Sequence, residues 1–319
     1  MGAIVLNHAR AHFYRDPQSL TKFIIFLSAL YSYYTDTWHY LKALSLPTPS
    51  ERLDPAMSHD LILTKENGRI CTLALNRPEK KNSLNLELVE ALVKALNELA
   101  RRADAPVLVI RGAGDEAFCA GFDIPSLPAA EQTTEAVETI RPVETLFQCV
   151  VDYPMPVIAM INGAAFGAGC ELAVCCDIRV AADNARLGMP PARLGLVYPW
   201  TGLRRFIQTI GLRSAKEILL TGRTYRGQRL IELGLVEHVV PHAELEPFAI
   251  RLAEEIAGNA PLALRGIKRI LNLLLQSQEL SPAGVEEARS LVAQALASED
   301  FREGRCAFLE KRLPTFKGK

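Results

Sequence analysis

The sequence lacks most of the marks that announce a particular chemistry. Its six histidines are scattered and form no HExxH pair, so a zinc-hydrolase helix has no support. Seven cysteines (71, 119, 149, 170, 175, 176 and 306) include no CxxC pair with zinc spacing. Several lie in apolar runs, the habit of buried thiols in a reducing, cytoplasmic setting. There is no GxSxG elbow for a serine hydrolase. Lys plus Arg equals Asp plus Glu at 36 each, so no surplus of charge draws the chain to nucleic acid or to an anionic membrane. The apolar and aromatic stretch FIIFLSALYSYY at 23–34 is shorter than the ~20 residues of a spanning helix. No small-x-small cleavage site follows it. What remains is an ordinary globular composition, 49% hydrophobic and 23% charged over 319 residues, with length enough for a full core.

Residues 1–57 read as an N-terminal extension of unknown role, because Met57 opens a second plausible start, MSHDLILTKENGRI. A signal-peptide core or an amphipathic anchor are the alternatives, so membrane contact through this segment stays open. Beyond it, LILTKE, the turn ENG and RICTLALN alternate as a two-stranded hairpin. Asn85 is placed to cap a helix whose apolar positions Leu88, Val89, Leu92, Val93, Leu96 and Leu99 recur at helical spacing. VLVI (107–110) and VIAMI (157–161) are short, wholly apolar runs typical of buried strands, with IRVAA (178–182) as a third. A helix is predicted between them, from about Glu131 to Val150, stopped by Pro154 and Pro156. The alternation implies an α/β core of mostly parallel strands. From about 201 the pattern predicts helices only, in segments 201–211, 214–222, 243–258, 261–278 and 284–310. Such a tail packs on the core or on another subunit. No internal repeat is visible.

Two glycine-bearing loops each follow a buried strand, so both emerge at one sheet edge, where open α/β sheets bind ligands. The first, RGAGDEAFCAGFDI (111–124), satisfies GxGxxA. A dinucleotide site would need a helix to open at once, and Phe118 to Phe122, then Pro125 and Pro128, stand in its way. The second, NGAAFGAGCELAVCCD (162–177), leads small residues into an apolar helix with one acid, Glu171. Two such loops can converge a pair of free N–H groups on one carbonyl oxygen, an oxyanion hole worth ~10²–10³ in rate per donor. Tight packing alone would also explain the small residues.

Taken together, FCAGFDI, NGAAFGAGCELAVCCDIRVAA, NRPEKKNSLN, LTGRTYRGQRLIELGLVEHVV and SEDFREGRCAFLEKRLPTF resemble the enoyl-CoA hydratase/isomerase (crotonase) superfamily over about 58 to 319. The resemblance implies a spiral of ββα units, with an α/β core at 58–255 and a C-terminal helical region at 256–319 that forms a homotrimer or hexamer. It also implies an acyl-CoA thioester as ligand, coenzyme A being part of the substrate, with no separate cofactor and no metal. The family's two oxyanion-hole amides fall on Phe122 and Ala168. Contacts to CoA or substrate fall on Lys80, the Phe118–Ala120 stretch, Asp123 and Ile124, and on Lys311, which matches a residue that reaches a neighbouring subunit's CoA.

The side chains around such a hole decide the reaction. Hydration in this family uses two glutamates; Glu171 matches the first, but Pro191 stands at the second, and proline can neither give nor take a proton. The segments GFDIPSLP, MPPARLGLVY and SEDFREGRCAFLEKR are most similar to methylmalonyl-CoA decarboxylase-like members. That likeness places a pocket tyrosine at Tyr198, to orient a substrate carboxylate or donate a proton, and puts decarboxylation slightly ahead of hydration. Burial would raise the Glu171 pKa and let it bind that carboxylate as a protonated acid. A purely structural Glu171 would instead pair with Arg179 or Arg193. A half-buried core aromatic is the plain alternative for Tyr198, and a catalytically silent acyl-CoA binder is the alternative for the whole chain.

Overall fold

The computed structural model of the chain describes residues 60–123, 133–276 and 282–317. The extension expected at 1–57 and Ile124 lie outside the described residues. Strands Ile62–Asn67 (β1) and Ile70–Leu75 (β2) form the expected antiparallel hairpin, with Ile62 opposite Leu75. Helix Leu86–Ala100 (α1) starts at Asn85, whose side-chain oxygen accepts the Leu88 N–H at 3.1 Å and satisfies one orphan donor of the first turn. Its buried face is Leu88, Val89, Leu92, Leu96 and Leu99.

From there the chain repeats one motif. Val107–Gly112 (β3), Ala117–Cys119 (β4) and Thr133–Val151 (α2) make its first turn. Val157–Ile161 (β5), Ala164–Phe166 (β6) and Ala168–Cys175 (α3) make the second. Ile178–Ala182 (β7), Arg186–Gly188 (β8) and Trp200–Thr221 (α4) make the third. Next come Thr224–Tyr225 (β9), Gln228–Glu232 (α5), His238–Val240 (β10) and Leu245–Ala257 (α6). Three helices end the chain: Pro261–Gln276 (α7), Pro282–Ala297 (α8) and Glu299–Leu309 (α9). The first strand of each turn joins a six-stranded sheet of order β1-β2-β3-β5-β7-β10, and the second joins a four-stranded sheet of order β4-β6-β8-β9. This is the spiral of ββα turns that the motifs imply.

The wholly apolar strands are those the large sheet buries on both faces. Val107–Ile110 and all of β5 are buried, and α6 lies against β3 and β5. Two expectations need correction. Residues after 201 are not helices only, because β9 and β10 return to the sheets, with β10 running parallel to β7 at an edge. At two and three residues they are too short for alternation to show. The segment 284–310 is also not one helix: Ser298 takes an extended conformation and its Oγ accepts the Phe301 N–H at 3.0 Å, starting α9 afresh. Leu296 and Phe301 bury together with Val292 and Leu196, which docks the last helices onto the segment before α4. Among the described residues no helix is long and apolar enough to cross a membrane.

Candidate active site

Because β3 and β5 are parallel neighbours, with Leu108 beside Val157, the loops leaving them share one edge. Asn162 ties those loops together. Its Nδ2 donates to Gly112 O at 3.1 Å and Gly114 O at 2.7 Å, and its Oδ1 accepts from Gly112 N at 3.1 Å. Glycines then let the two backbones touch. A Cβ on Gly169 would meet Cys119 O at 2.0 Å, and one on Gly121 would meet Phe166 O at 2.8 Å and Ala168 N at 3.9 Å. Gly121 also has φ 109°, which side chains rarely adopt. The small residues therefore serve close packing, and that packing brings residue 121 against residue 168.

The same contacts leave two donors over. Leu84 N–H donates to Gly121 O and Asp123 N–H donates to Leu84 O, both at 2.8 Å, a parallel bridge that uses the groups on either side of the Phe122 N–H. Ala168 is the first residue of α3, where helix geometry supplies no acceptor and the helix dipole favours negative charge. Among the described residues neither the Phe122 N–H nor the Ala168 N–H has an acceptor. Phe122 and Ala168 line one cavity of about 880 Å³. A carbonyl oxygen seated between two such amides would be polarised, and an enolate oxygen more strongly so.

Glu144, Glu171 and Tyr198 also line the cavity, and Arg205, which does not, binds both acids. Glu171, one turn along α3, is 2% exposed. Its Oε2 accepts the Tyr198 hydroxyl and its Oε1 accepts Arg205 Nη1 at 2.8 Å. Arg205, 7% exposed, comes from α4 and lies 5.6 Å over the Phe147 ring. The same Nη1 reaches Glu144 Oε2 at 3.1 Å, Nη2 binds Glu144 Oε1, and Thr201 donates to Glu144 Oε2 at 3.1 Å. Burial pushes the Glu171 carboxyl up to about 7, although Arg205 and Tyr198 pull it down. The Tyr198 hydroxyl is held well above its usual range by burial and by the Glu171 charge, and so keeps its proton.

Of the residues singled out in the sequence, Lys80, Ala120, Phe122, Asp123, Ala168, Glu171 and Tyr198 line the cavity. Asp123 is paired there with Arg77 at 3.3 Å. Pro191 also lines it, opening the short turn Pro191–Leu194. Phe118 does not: it is 0% exposed on β4, a core residue whose ring packs into the apolar interior. Lys311 stands outside the cavity in an exposed turn at φ 56°, while its neighbour Arg312 lines the wall. The structural partners considered for Glu171 are also corrected. Arg179 is bound to Glu237 and to Cys176 O, and the cation on Glu171 is Arg205. Neither Arg205 nor Glu144 stood out in the sequence, because each sits in an ordinary amphipathic helix and their meeting spans 61 positions. Among the described residues no group of three His, Cys, Asp or Glu could hold a metal ion.

Comparison with known proteins identifies the family. Residues 65–319 match the family model described as enoyl-CoA hydratase/isomerase. The 2,3-dehydroadipyl-CoA hydratase of Escherichia coli (strain K12) is 37% identical over 261 residues, covering 82% of this chain and 99% of that protein. A solved methylmalonyl-CoA decarboxylase in complex with 2-nitronate-propionyl-CoA superposes with a TM-score of 0.76 at 28% identity, covering 82% of this chain and 100% of that one. An enoyl-CoA hydratase from Bacillus anthracis superposes with a TM-score of 0.64 at 36% identity, covering 81% and 100%.

Proposed function

The chain belongs to the enoyl-CoA hydratase/isomerase family, and on that premise we propose that this acyl-CoA enzyme is a lyase that decarboxylates a short malonyl-type thioester. The Phe122 and Ala168 amides would bind the thioester oxygen. The C2–carboxylate bond then breaks, its electron pair enters the enolate held between the amides, CO₂ leaves, and C2 takes up one proton. Tyr198, which retains its hydroxyl proton, would orient the departing carboxylate or return that proton. The apolar lining from Val143, Phe147, Leu196 and Leu296 disfavours a hydrated carboxylate and so favours its loss. Lys80, Lys81, Arg186, Arg193 and Arg312 line the same cavity and suit the phosphates of CoA.

One observation carries this reading: Tyr198 sits on Glu171 while the second-acid position is Pro191, a combination that serves carboxylate loss better than water addition. The decarboxylase to which the chain is similar supports it. Hydration of a short unsaturated acyl-CoA is the second reading, favoured by the hydratase names among the relatives. Release of labelled CO₂ from ¹³C-carboxyl methylmalonyl-CoA, assayed beside hydration of crotonyl-CoA, separates them. Hydration without labelled CO₂ would reverse the order, and turnover of neither with CoA binding intact would leave a silent binder. We also read the exposed Leu262, Ile267, Ile270, Leu271 and Leu274 of α7 as a face on which copies assemble, to be checked by sedimentation.

A further inference from the structure

The two glutamates that line the cavity share a partner that acyl-CoA chemistry does not demand. One nitrogen, Arg205 Nη1, is bound to both Glu171 Oε1 and Glu144 Oε2. Two carboxylates face one guanidinium, so the cluster of three carries one net negative charge when all are ionised. Glu144 is not deeply buried. Its side chain keeps 34% of its exposure and lines the cavity. The two acids therefore differ in burial and not in pairing: both oxygens of each accept hydrogen bonds, but Glu171 is almost fully buried while Glu144 is partly exposed at the cavity. Their elements also differ, since α2 brings Glu144, α3 brings Glu171 and α4 brings Arg205.

We propose that Arg205 is a positioning residue shared between Glu171 and Glu144, and that the division of its charge between them sets whether Glu171 holds a proton in the working enzyme. The reasoning is electrostatic. A cation that gives two hydrogen bonds to Glu144 and one to Glu171 is partly neutralised by the first before it serves the second. Glu144 also repels charge on Glu171 directly. Removing Glu144 frees the whole cation for Glu171 and favours its carboxylate; removing Arg205 leaves Glu171 buried beside another anion and favours its acid form. Tyr198, Cys170 and Cys175 complete the titratable groups placed against Glu171. The two thiols are buried with raised pKa values, Cys170 at about 12, so near neutrality only the two acids and the arginine set the balance. An anionic substrate carboxylate arriving beside this cluster would push Glu171 toward its acid form, and Glu144 fixes how far it must be pushed.

The inference rests on the site assigned above but not on which reaction runs there, so its main test needs no substrate. In protein labelled with ¹³C at the glutamate carboxyls, the Glu171 resonance is identified by its loss in Glu171→Gln and titrated in the ligand-free protein. Glu144→Gln is expected to move its midpoint down by about one pH unit, and Arg205→Met to move it up by about one unit or more. Arg205→Lys is expected to restore part of the difference. Where methylmalonyl-CoA or crotonyl-CoA turns over, the limb of kcat/KM that Glu171 sets, alkaline where its acid form works and acid where its carboxylate does, follows the same displacements, with less than a twofold change in CoA affinity. Arg205→Met has the greater chance of misfolding; Glu144→Gln, at a partly exposed side chain, keeps the test decisive. An unmoved midpoint in folded Glu144→Gln overturns the proposal and makes Arg205 a brace only. If the midpoints move as expected while no CO₂ is released from methylmalonyl-CoA, the inference stands and the decarboxylase reading falls.

Discussion

The cavity has two walls of different construction. One is main chain, with donors fixed by backbone-to-backbone contact at Gly121 and Gly169 and by the Asn162 bridges. It has no rotamers to choose and no proton to lose. The other is side chain, with Tyr198, Glu171 and Glu144 lining the cavity and the buried Arg205 tying the two acids together, drawn from a loop and three helices. It can be ionised, repacked or replaced one residue at a time. Enolate stabilisation, common to hydration, isomerisation and decarboxylation, needs only the first wall. On the proposed reading, choice of reaction belongs to the second, which is where Pro191 and Tyr198 depart from a two-glutamate arrangement.

Substitutions that strike each wall should differ in kind. The largest effect is expected from Gly169→Ala, whose methyl would stand 2.0 Å from Cys119 O. Neither backbone can yield, so a loss of more than about 4 kcal/mol, seen as a collapsed melting transition, is expected. Glu171→Gln keeps the shape of the side-chain wall but removes its charge; kcat should fall by ~10²–10⁴ with CoA affinity intact. Gly121→Ala, through its 2.8 Å contact with Phe166 O, should shift the Phe122 amide and lower kcat by ~10²–10³ while the fold persists. If it instead leaves kcat unchanged, the two walls do not divide the work as described. Tyr198→Phe should be mildest, about tenfold in kcat for one lost hydroxyl bond to a charged group.

The pH behaviour sharpens the same contrast, because only the side-chain wall titrates near neutrality. Glu171 is raised from 4.5 to about 7 in the folded chain, so between these values the folded state binds more protons than the unfolded one. Its contribution to stability therefore falls as pH rises from ~5, and the full deficit is present above about 7. On the decarboxylase reading Glu171 must hold its proton beside the substrate carboxylate, so activity should fall with pH over that same window while the stability of the wild type, measured relative to Glu171→Gln, declines by about 1–3 kcal/mol; activity that rises there would favour the hydratase reading. Parallel melting curves across the window would show that Glu171 is not displaced by burial.

The main-chain wall was largely legible in the sequence. Glycines flanking buried apolar runs are local signals, and parallel strands carry their loops to one edge, so the two loops pair from spacing alone, while Phe122 and Ala168 are named by the resemblance. The second sheet was not legible. Its strands Ala117–Cys119, Ala164–Phe166 and Arg186–Gly188 are three residues each, and the first two lie inside the glycine-bearing loops 111–124 and 162–177. For the same reason the repeated ββα turn shows in topology and not as a sequence repeat. Glu171 and Tyr198 were found because motifs mark them. Glu144, which lines the cavity, and Arg205, which is buried against both acids, were missed because no local pattern distinguishes such helix residues from ones that face water.

The most direct test reads the bound thioester itself. Infrared difference spectra of butyryl-CoA labelled with ¹³C at the carbonyl would report how strongly that carbonyl is polarised in the cavity. Ala168→Pro removes one amide donor at a first helical position, where proline is tolerated. The account predicts a carbonyl band moved to lower frequency on the wild-type protein and largely returned to its aqueous position on folded Ala168→Pro. An identical downshift on both proteins would contradict it.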